Sequence, residues 1–373
     1  MKRIKVLVII GTRPEVIKMA PVIKEIGKRA ARFEQTVVLT GQHREMCAPY
    51  LNLFGIVPDW DLAIMQQDQT LDSIIGNILA SLPRVLEQLD PDVVLVQGDT
   101  SSAFAAAMAA FHRKIRVGHV EAGLRTHNKY NPFPEEMNRV LIGRVADFHF
   151  APTLAARANL LQEAIAPENI YVTGNTSIDA LKMMLAQDSG NEIPALDEID
   201  LHNGRTIVVT THRRENFGEP LINILSALKE IVSRYPDVQI VLPVHYNPNV
   251  RTHVYRMLDG TDRIRLIEPL EYRSFVRLLE RSYLVLTDSG GIQEEAPSLG
   301  KPVLVLRETT ERPEGVEAGT ARLVGTDSRK MVEAVCRLLD DEAAYQEMAC
   351  AANPYGDGTA ALRIVDVLES AFS

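Results

Sequence analysis

The sequence predicts an α/β protein made of two doubly wound parallel-sheet domains in tandem. Short runs of apolar and β-branched residues alternate with helical patterns along most of the chain. A turn-rich stretch from Asp179 to about Gly204 interrupts the alternation once. At 373 residues the chain also exceeds what one core normally serves. Regular strand–helix alternation implies parallel strands covered by helices on both faces, a Rossmann-like layout.

The first strand, Lys5–Ile10, is nearly all apolar, as a strand buried on both faces must be. It imitates a signal peptide, but the apolar run is too short. Gly11-Thr12-Arg13-Pro14-Glu15 follows in place of a small-residue cleavage site. Further strands are expected at Gln35–Leu39, Asp92–Val96, Arg116–Val120, Phe148–Ala151 and Ile170–Val172. Helical patterns fill the gaps near Pro14–Lys28, Arg44–Phe54, Leu71–Leu89, Ser101–Phe111, Glu135–Val145 and Leu154–Glu163. Asp188-Ser189-Gly190-Asn191, Pro194 and His202-Asn203-Gly204 form turns, so the linker is placed there. Alternation resumes with strands at Thr206–Thr211, Val238–Val244, Ile264–Ile267, Tyr283–Thr287 and Val303–Leu306. Asn353-Pro354-Tyr355-Gly356-Asp357-Gly358 then precedes a last helix from Ala360 to about Phe372. The expected domains are 1–180 and 181–355, with 356–373 returning to the first. Two such domains facing each other would bind a ligand in a cleft that opens and closes.

A formal net charge of −9 argues against a general nucleic-acid or anionic-membrane binder, so an anionic ligand needs local positive groups. No run is long and apolar enough to span a membrane. Cys47, Cys336 and Cys350 show no CxxC or metal-type spacing, which fits reduced thiols in a cytoplasmic protein. There is no P-loop, no GxGxxG with a downstream acid, and no HExxH or Cys/His cluster, so neither NAD nor zinc is implied.

Residues with chemical potential fall where strands end. Strand Tyr283–Thr287 runs into Asp288-Ser289-Gly290-Gly291 and then into a helical pattern with Glu295 a turn later. Paired glycines let backbone approach a ligand, and first-turn N–H groups attract a phosphate. Glu295 can accept from sugar hydroxyls; Ser289 as an ordinary N-cap is the plainer reading. Arg13 and Lys18 open the first helix, and Asp99 ends a strand at Gly98-Asp99-Thr100. Glu121 follows the strand through Val120, in His119-Val120-Glu121-Ala122-Gly123. Glu135 opens a helix after a proline-rich loop, either as a dipole partner or as a third carboxylate. His212 and Arg213 follow the next domain's first strand, and Arg312 lies in a polar loop suited to clamping a diphosphate.

Taken together, GTRPEVIK (Gly11–Lys18), TGQH (Thr40–His43), QGDT (Gln97–Thr100), HVEAGLRT (His119–Thr126), PEEMNR (Pro134–Arg139), THRREN (Thr211–Asn216), DSGGIQEEAPSLGKPVL (Asp288–Leu304) and TTERPEG (Thr309–Gly315) resemble the non-hydrolysing bacterial UDP-N-acetylglucosamine 2-epimerases, from about Lys5 to Gly358. The resemblance implies a GT-B fold and reversible conversion of UDP-GlcNAc to UDP-ManNAc, supplying cell-surface polysaccharide. It also implies a homodimer and no cofactor. Arg13, Lys18, Asp99, Glu121 and His212 match positions at the substrate, with Glu135 a third catalytic carboxylate. Leu270, Phe275, Ser289, Gly290, Gly291, Glu295 and Arg312 match nucleotide-binding positions. Gln42, His43, Arg213, Glu215 and His245 match positions near an activator site that takes a second UDP-GlcNAc. Two departures from the family pattern stand out: Asp68 replaces an arginine carried by many members, and Leu270 a glutamine carried by some.

Overall fold

The structure, a computed structural model, describes residues 2–65, 69–187 and 204–373. Asp68 and the turn-rich run 188–203 lie outside the described residues. The chain divides into two units, Met1–Ala180 with Tyr355–Ser373, and Leu181–Pro354.

In the first unit, β1 (Ile4–Ile10) leads to α1 (Arg13–Lys28), then β2 (Phe33–Leu39), α2 (Arg44–Phe54) and the two-residue β3 (Trp60–Asp61). After α3 (Leu71–Leu89) come β4 (Val93–Gln97), α4 (Ser101–Phe111) and β5 (Arg116–Val120). The unit continues through α5 (Glu135–Val145), β6 (Phe148–Ala151), α6 (Leu154–Gln162) and β7 (Ile170–Val172) to the start of α7 (Thr176–Ala186), within which the division falls. All the strands are parallel, in the order β3-β2-β1-β4-β5-β6-β7. β1 and β4 occupy the centre, where helices cover both faces, and their Ile, Val and Leu side chains are almost wholly buried.

α1 starts where the sequence expects it, with Pro14 at its second rather than its first position. A Cβ at Gly11 would fall 2.5 Å from Ser102 Oγ and 2.9 Å from Thr40 Oγ1, so only glycine lets β1 end against α4. The linker expectation fails at its start, because α7 carries Asp179 through Ala186 as helix. Its apolar residues Ile178, Leu181 and Met184 repeat every three residues and are fully buried.

The second unit contains β8 (Arg205–Thr210), α8 (Glu219–Arg234), β9 (Val238–Pro243), α9 (Pro248–Leu258), β10 (Ile264–Ile267) and α10 (Tyr272–Arg281). β11 (Leu284–Thr287), α11 (Gly290–Glu295), β12 (Val303–Val305), α12 (Pro313–Glu317), β13 (Ala321–Leu323), α13 (Ser328–Asp340) and α14 (Glu342–Ala349) complete it. The parallel order is β10-β9-β8-β11-β12-β13. The sequence reading missed both β3 and β13, edge strands of two and three residues. Runs that short carry no period-2 signal.

The last helix, α15 (Ala360–Ala371), belongs to the first unit. Asp179 caps it, accepting the N–H groups of Ala360 at 3.2 Å and Ala361 at 2.8 Å. Glu369 accepts from Arg29 and Arg32 at 3.0 Å each. Among the described residues no helix is long and apolar enough to cross a membrane.

Candidate active site

In the first unit the polar groups collect where β1, β4, β5 and β7 end, the edge at which open parallel sheets bind ligands. Glu121 stands just beyond β5 with φ +66°, a left-handed conformation that a glutamate rarely adopts. Its neighbours hold it there: Gly98 N–H donates to Val120 O at 2.9 Å, and Ala122 N–H to Phe150 O at 3.0 Å. The Glu121 carboxylate accepts from the Lys18 ammonium and the Gln97 amide, and from Asn175 Nδ2 at 3.0 Å. The helix α1 thus delivers a cation, β4 an amide and the turn after β7 a second amide, all to one carboxylate.

Asp99 lies next to this group, half-buried after the turn at Gly98 (φ +69°). Burial raises its pKa from the ordinary carboxylate value. The Arg139 guanidinium, ion-paired with Asp99, opposes the rise, and the Glu121 charge adds to it. Asn138 Nδ2 holds the Asp99 carbonyl at 2.9 Å, so α5 fixes both ends of that residue.

Buried side chains behind the edge shape its turns. Glu15 is 2% exposed and accepts the N–H groups of Gly11 at 2.7 Å and Thr12 at 2.6 Å, and the Thr100 hydroxyl at 2.6 Å. Burial raises its pKa too. His119 has Nε2 2.7 Å from the Gly98 carbonyl oxygen, and burial pushes its pKa down to about 3. A neutral imidazole therefore donates Nε2–H to that carbonyl and steadies the turn carrying Asp99.

The other first-unit candidates divide. Arg13 is exposed, has no ion pair among the described residues, and lies 5.7 Å from the Tyr50 ring centroid. Glu135 is half-buried and stands apart from the network. Its neighbour Glu136 is the engaged residue, accepting the N–H groups of Thr126 at 3.1 Å and His127 at 2.9 Å. Gln42 is buried, its amide oxygen taking the Ser102 hydroxyl at 2.6 Å. His43 precedes α2 without capping it by its side chain.

In the second unit the organising group is Asp288, fully buried after β11. One carboxylate oxygen accepts from Thr211 Oγ1 at 3.1 Å, the His212 and Arg213 N–H groups at 2.9 Å each, and Asn216 Nδ2 at 3.0 Å. The other lies 3.0 Å from His212 Nδ1. Burial works to raise the Asp288 pKa, but the His212 contact and these donors hold it at about 2. The His212 side chain is 38% exposed, so a buried anion orients a ring whose Nε2 remains available. The His245 ring stacks on it with centroids 5.8 Å apart.

Beside this loop, Ser289 occupies the N-cap position of α11 but makes no capping bond with its side chain. A Cβ on Gly290 would meet the Arg312 guanidinium at 3.7 Å and Arg213 Nη2 at 3.9 Å, so two cations flank bare backbone. Arg312 is aimed by buried Glu294, Nε to Oε1 at 2.5 Å. Glu295 is buried with the Tyr272 hydroxyl 3.3 Å away. Leu270 and Phe275 are half-buried against the apolar cluster that includes Ile292 and Ala296. Glu215 accepts from Arg307 Nε at 2.5 Å.

The structure thus gathers Lys18, Asp99 and Glu121 on one sheet edge, and His212, Arg213, Gly290 and Arg312 on the other. Sequence reasoning missed Gln97, Asn175, Arg139 and Asp288 as participants. Their signal was positional, since Gln97, Asn175 and Asp288 all end a strand or follow one closely. Among the described residues no cluster of His, Cys, Asp and Glu could hold a metal ion.

Comparison with known proteins agrees with this layout. The UDP-N-acetylglucosamine 2-epimerase family model matches residues 24–369. The UDP-N-acetylglucosamine 2-epimerase of Bacillus subtilis strain 168 is 51% identical over 368 residues, 99% of this chain and 96% of the relative. That of Escherichia coli K12 is 52% identical over 371 residues, 98% of each chain. The crystal structure of the Neisseria meningitidis UDP-GlcNAc 2-epimerase bound to UDP-GlcNAc superposes with a TM-score of 0.90 at 48% identity, covering 98% of this chain and all (100%) of that one. Both doubly wound sheets of the GT-B class are therefore present, and the chain belongs to the UDP-N-acetylglucosamine 2-epimerase family.

Proposed function

We propose that the chain catalyses reversible epimerisation at C2 of UDP-N-acetylglucosamine, giving UDP-N-acetylmannosamine. Inverting C2 requires breaking a C–H bond on a carbon that is not next to a carbonyl. That proton becomes acidic only as C1 develops positive charge, which happens when UDP departs. Elimination therefore gives 2-acetamidoglucal and UDP. Re-addition with the proton delivered to the other face then gives the epimer. Such a route needs acid–base groups for the sugar and a cationic, hydrogen-bonding seat for the departing diphosphate.

Each unit supplies one of these needs. Glu121, charge-paired with Lys18, and Asp99, whose pKa burial raises, are two carboxylates in unlike environments. Pairs of that kind divide acid and base work. The Ser289–Gly291 backbone, Arg312, Arg213 and His212 receive the diphosphate. Leu270 and Phe275 take the uracil, and Glu295 the ribose hydroxyls. The single observation that carries the reading is the convergence of Lys18, Gln97 and Asn175 on the strained Glu121 beside Asp99. Binding alone would not require two adjacent carboxylates in a site for an anion.

The test is proton NMR of the purified protein with UDP-GlcNAc alone in D₂O, with EDTA present. UDP-ManNAc carrying deuterium at C2 is the expected product. Free ManNAc with UDP would reassign the protein to hydrolysis, and no change in the sugar would remove the carboxylate roles.

A further inference from the structure

A surface cavity of about 350 Å³ lies at the β13 edge of the second unit, bounded by the start of the loop after β12, by β13, and by one face of α13. Its volume is within the range of small-ligand sites. Arg307, Arg322, Lys330 and Arg337 bring four cations to its wall against two carboxylates, Glu308 and Glu333. On a chain of net charge −9 such a local excess is against the trend. Lys330, Glu333 and Arg337 fall three and four residues apart on α13 and so share a face.

Two features separate this cluster from an ordinary solvated face. The side chains of Arg322, Lys330 and Arg337 make no ion pair or hydrogen bond among the described residues, although Glu308 and Glu333 line the same cavity. Arg307 is only 7% exposed, and its Nη1 is buried without a hydrogen-bond partner. Its Nε and Nη2 are held by Glu215 at 2.5 Å and Glu311 at 3.6 Å. A buried guanidinium with an unsatisfied arm is costly unless an acceptor arrives.

We propose that this cavity is a second anion site, taking a phosphate-bearing small molecule through Arg322, Lys330 and Arg337, with Arg307 as its buried floor. The planar forks of the arginines suit the oxygens of a phosphate group, and the lysine adds a point charge. Because Arg307 also holds Glu215, an occupant reaches the loop that carries His212 and Arg213. The site is independent of the epimerase reading, since it uses none of the residues placed in that chemistry.

The experiment titrates two probes, inorganic pyrophosphate and ADP, into full-length protein already saturated with UDP, followed by calorimetry. UDP binding is measured first, so that a failure of the nucleotide reading is seen separately. Saturable binding of either probe is expected, weakening with added salt. It should fall about tenfold or more in the triple variant Arg322→Gln, Lys330→Gln, Arg337→Gln, each change removing charge-assisted bonds. The pyrophosphate arm reads a free phosphate and the ADP arm a phosphate carried on a nucleotide. The single variant Arg322→Gln, at an edge strand, gives a smaller loss of the same sign should the triple variant misfold. Absence of binding by both probes, or binding unaltered in the variants, overturns the site.

Discussion

The two sheets use a carboxylate at the end of a central strand in opposite ways. In the first unit Glu121 is presented: its backbone is forced into a left-handed turn, and three side chains from different elements meet it. In the second unit Asp288 is withdrawn: it is fully buried and spent on backbone N–H groups, Thr211, Asn216 and His212. One carboxylate is placed to act and the other to aim a histidine. The same strand–turn–helix unit therefore yields a presented carboxylate or a buried support, according to whether backbone N–H groups join the side chains that hold it.

The largest expected effect tests the first half of that contrast. Glu121→Gln and Asp99→Asn should each lower kcat by about 10²- to 10⁴-fold, the usual share of a general acid or base. Circular dichroism should show the fold unchanged, and near-normal turnover in both variants would end the proposed assignment. Next, Asp288→Ala should act mainly on stability. It strands buried donors, and denaturant unfolding should show a loss of about 2–3 kcal/mol. A large fall in kcat with no loss of stability would make Asp288 a reactive group and erase the contrast.

Acid should separate the units as well. His119 and His149 are held neutral, with pKa values pushed by burial to about 3 and about 4 from an ordinary 6.5. The unfolded chain then binds protons at these two sites that the folded one refuses, so the contribution of the two histidines is lost as pH falls from about 6.5 toward 4, while the raised Glu15 and Asp99 carboxyls act in the opposite sense. Asp288 is depressed to about 2 from 3.8, so its contribution is complete above about 4 and is lost between about 4 and 2. Hydrogen exchange at pH 5 should therefore rise in β5 and β6 before it rises in β8 and β11. The reverse order would contradict the burial of the two histidines. The smallest effect concerns the bare backbone at Gly290. Gly290→Ala meets Arg312 at an ordinary 3.7 Å, so the chain still folds. A methyl group where backbone approaches the diphosphate should raise KM for the nucleotide sugar roughly tenfold, the equivalent of one charge-assisted bond.

The fold was largely legible because buried parallel strands write themselves as apolar runs, as in Ile4–Ile10 and Leu284–Thr287. β3 and β13 were illegible because Trp60-Asp61 and Ala321-Arg322-Leu323 are short and interrupted by charge, unlike the equally short apolar Val303–Val305, and α7 because turn residues downstream hid its start. Within the site, Asp99, Glu121 and His212 were visible as charged or titratable residues ending apolar strands. What joins them was not. Lys18 reaches Glu121 across 103 residues, and Asn175 reaches it across 54. Such contacts belong to sheet order, not to local spacing. Glu135 was a candidate through its place in a family motif, and the neighbouring Glu136 accepts the Thr126 and His127 N–H groups.

The return of residues 355–373 to the first unit bears on how the chain is made. Synthesis proceeds from the amino end, so the first sheet leaves the ribosome while the helix that locks Arg29 and Arg32 is still unmade. The whole second unit must be translated before Asp179 meets its partners at Ala360 and Ala361. During that interval the face that Ile364, Val365 and Leu368 will cover stays open, since all three end fully buried. The first unit is begun early and finished last, and a message truncated anywhere in the second leaves an open core for chaperones and proteases to find.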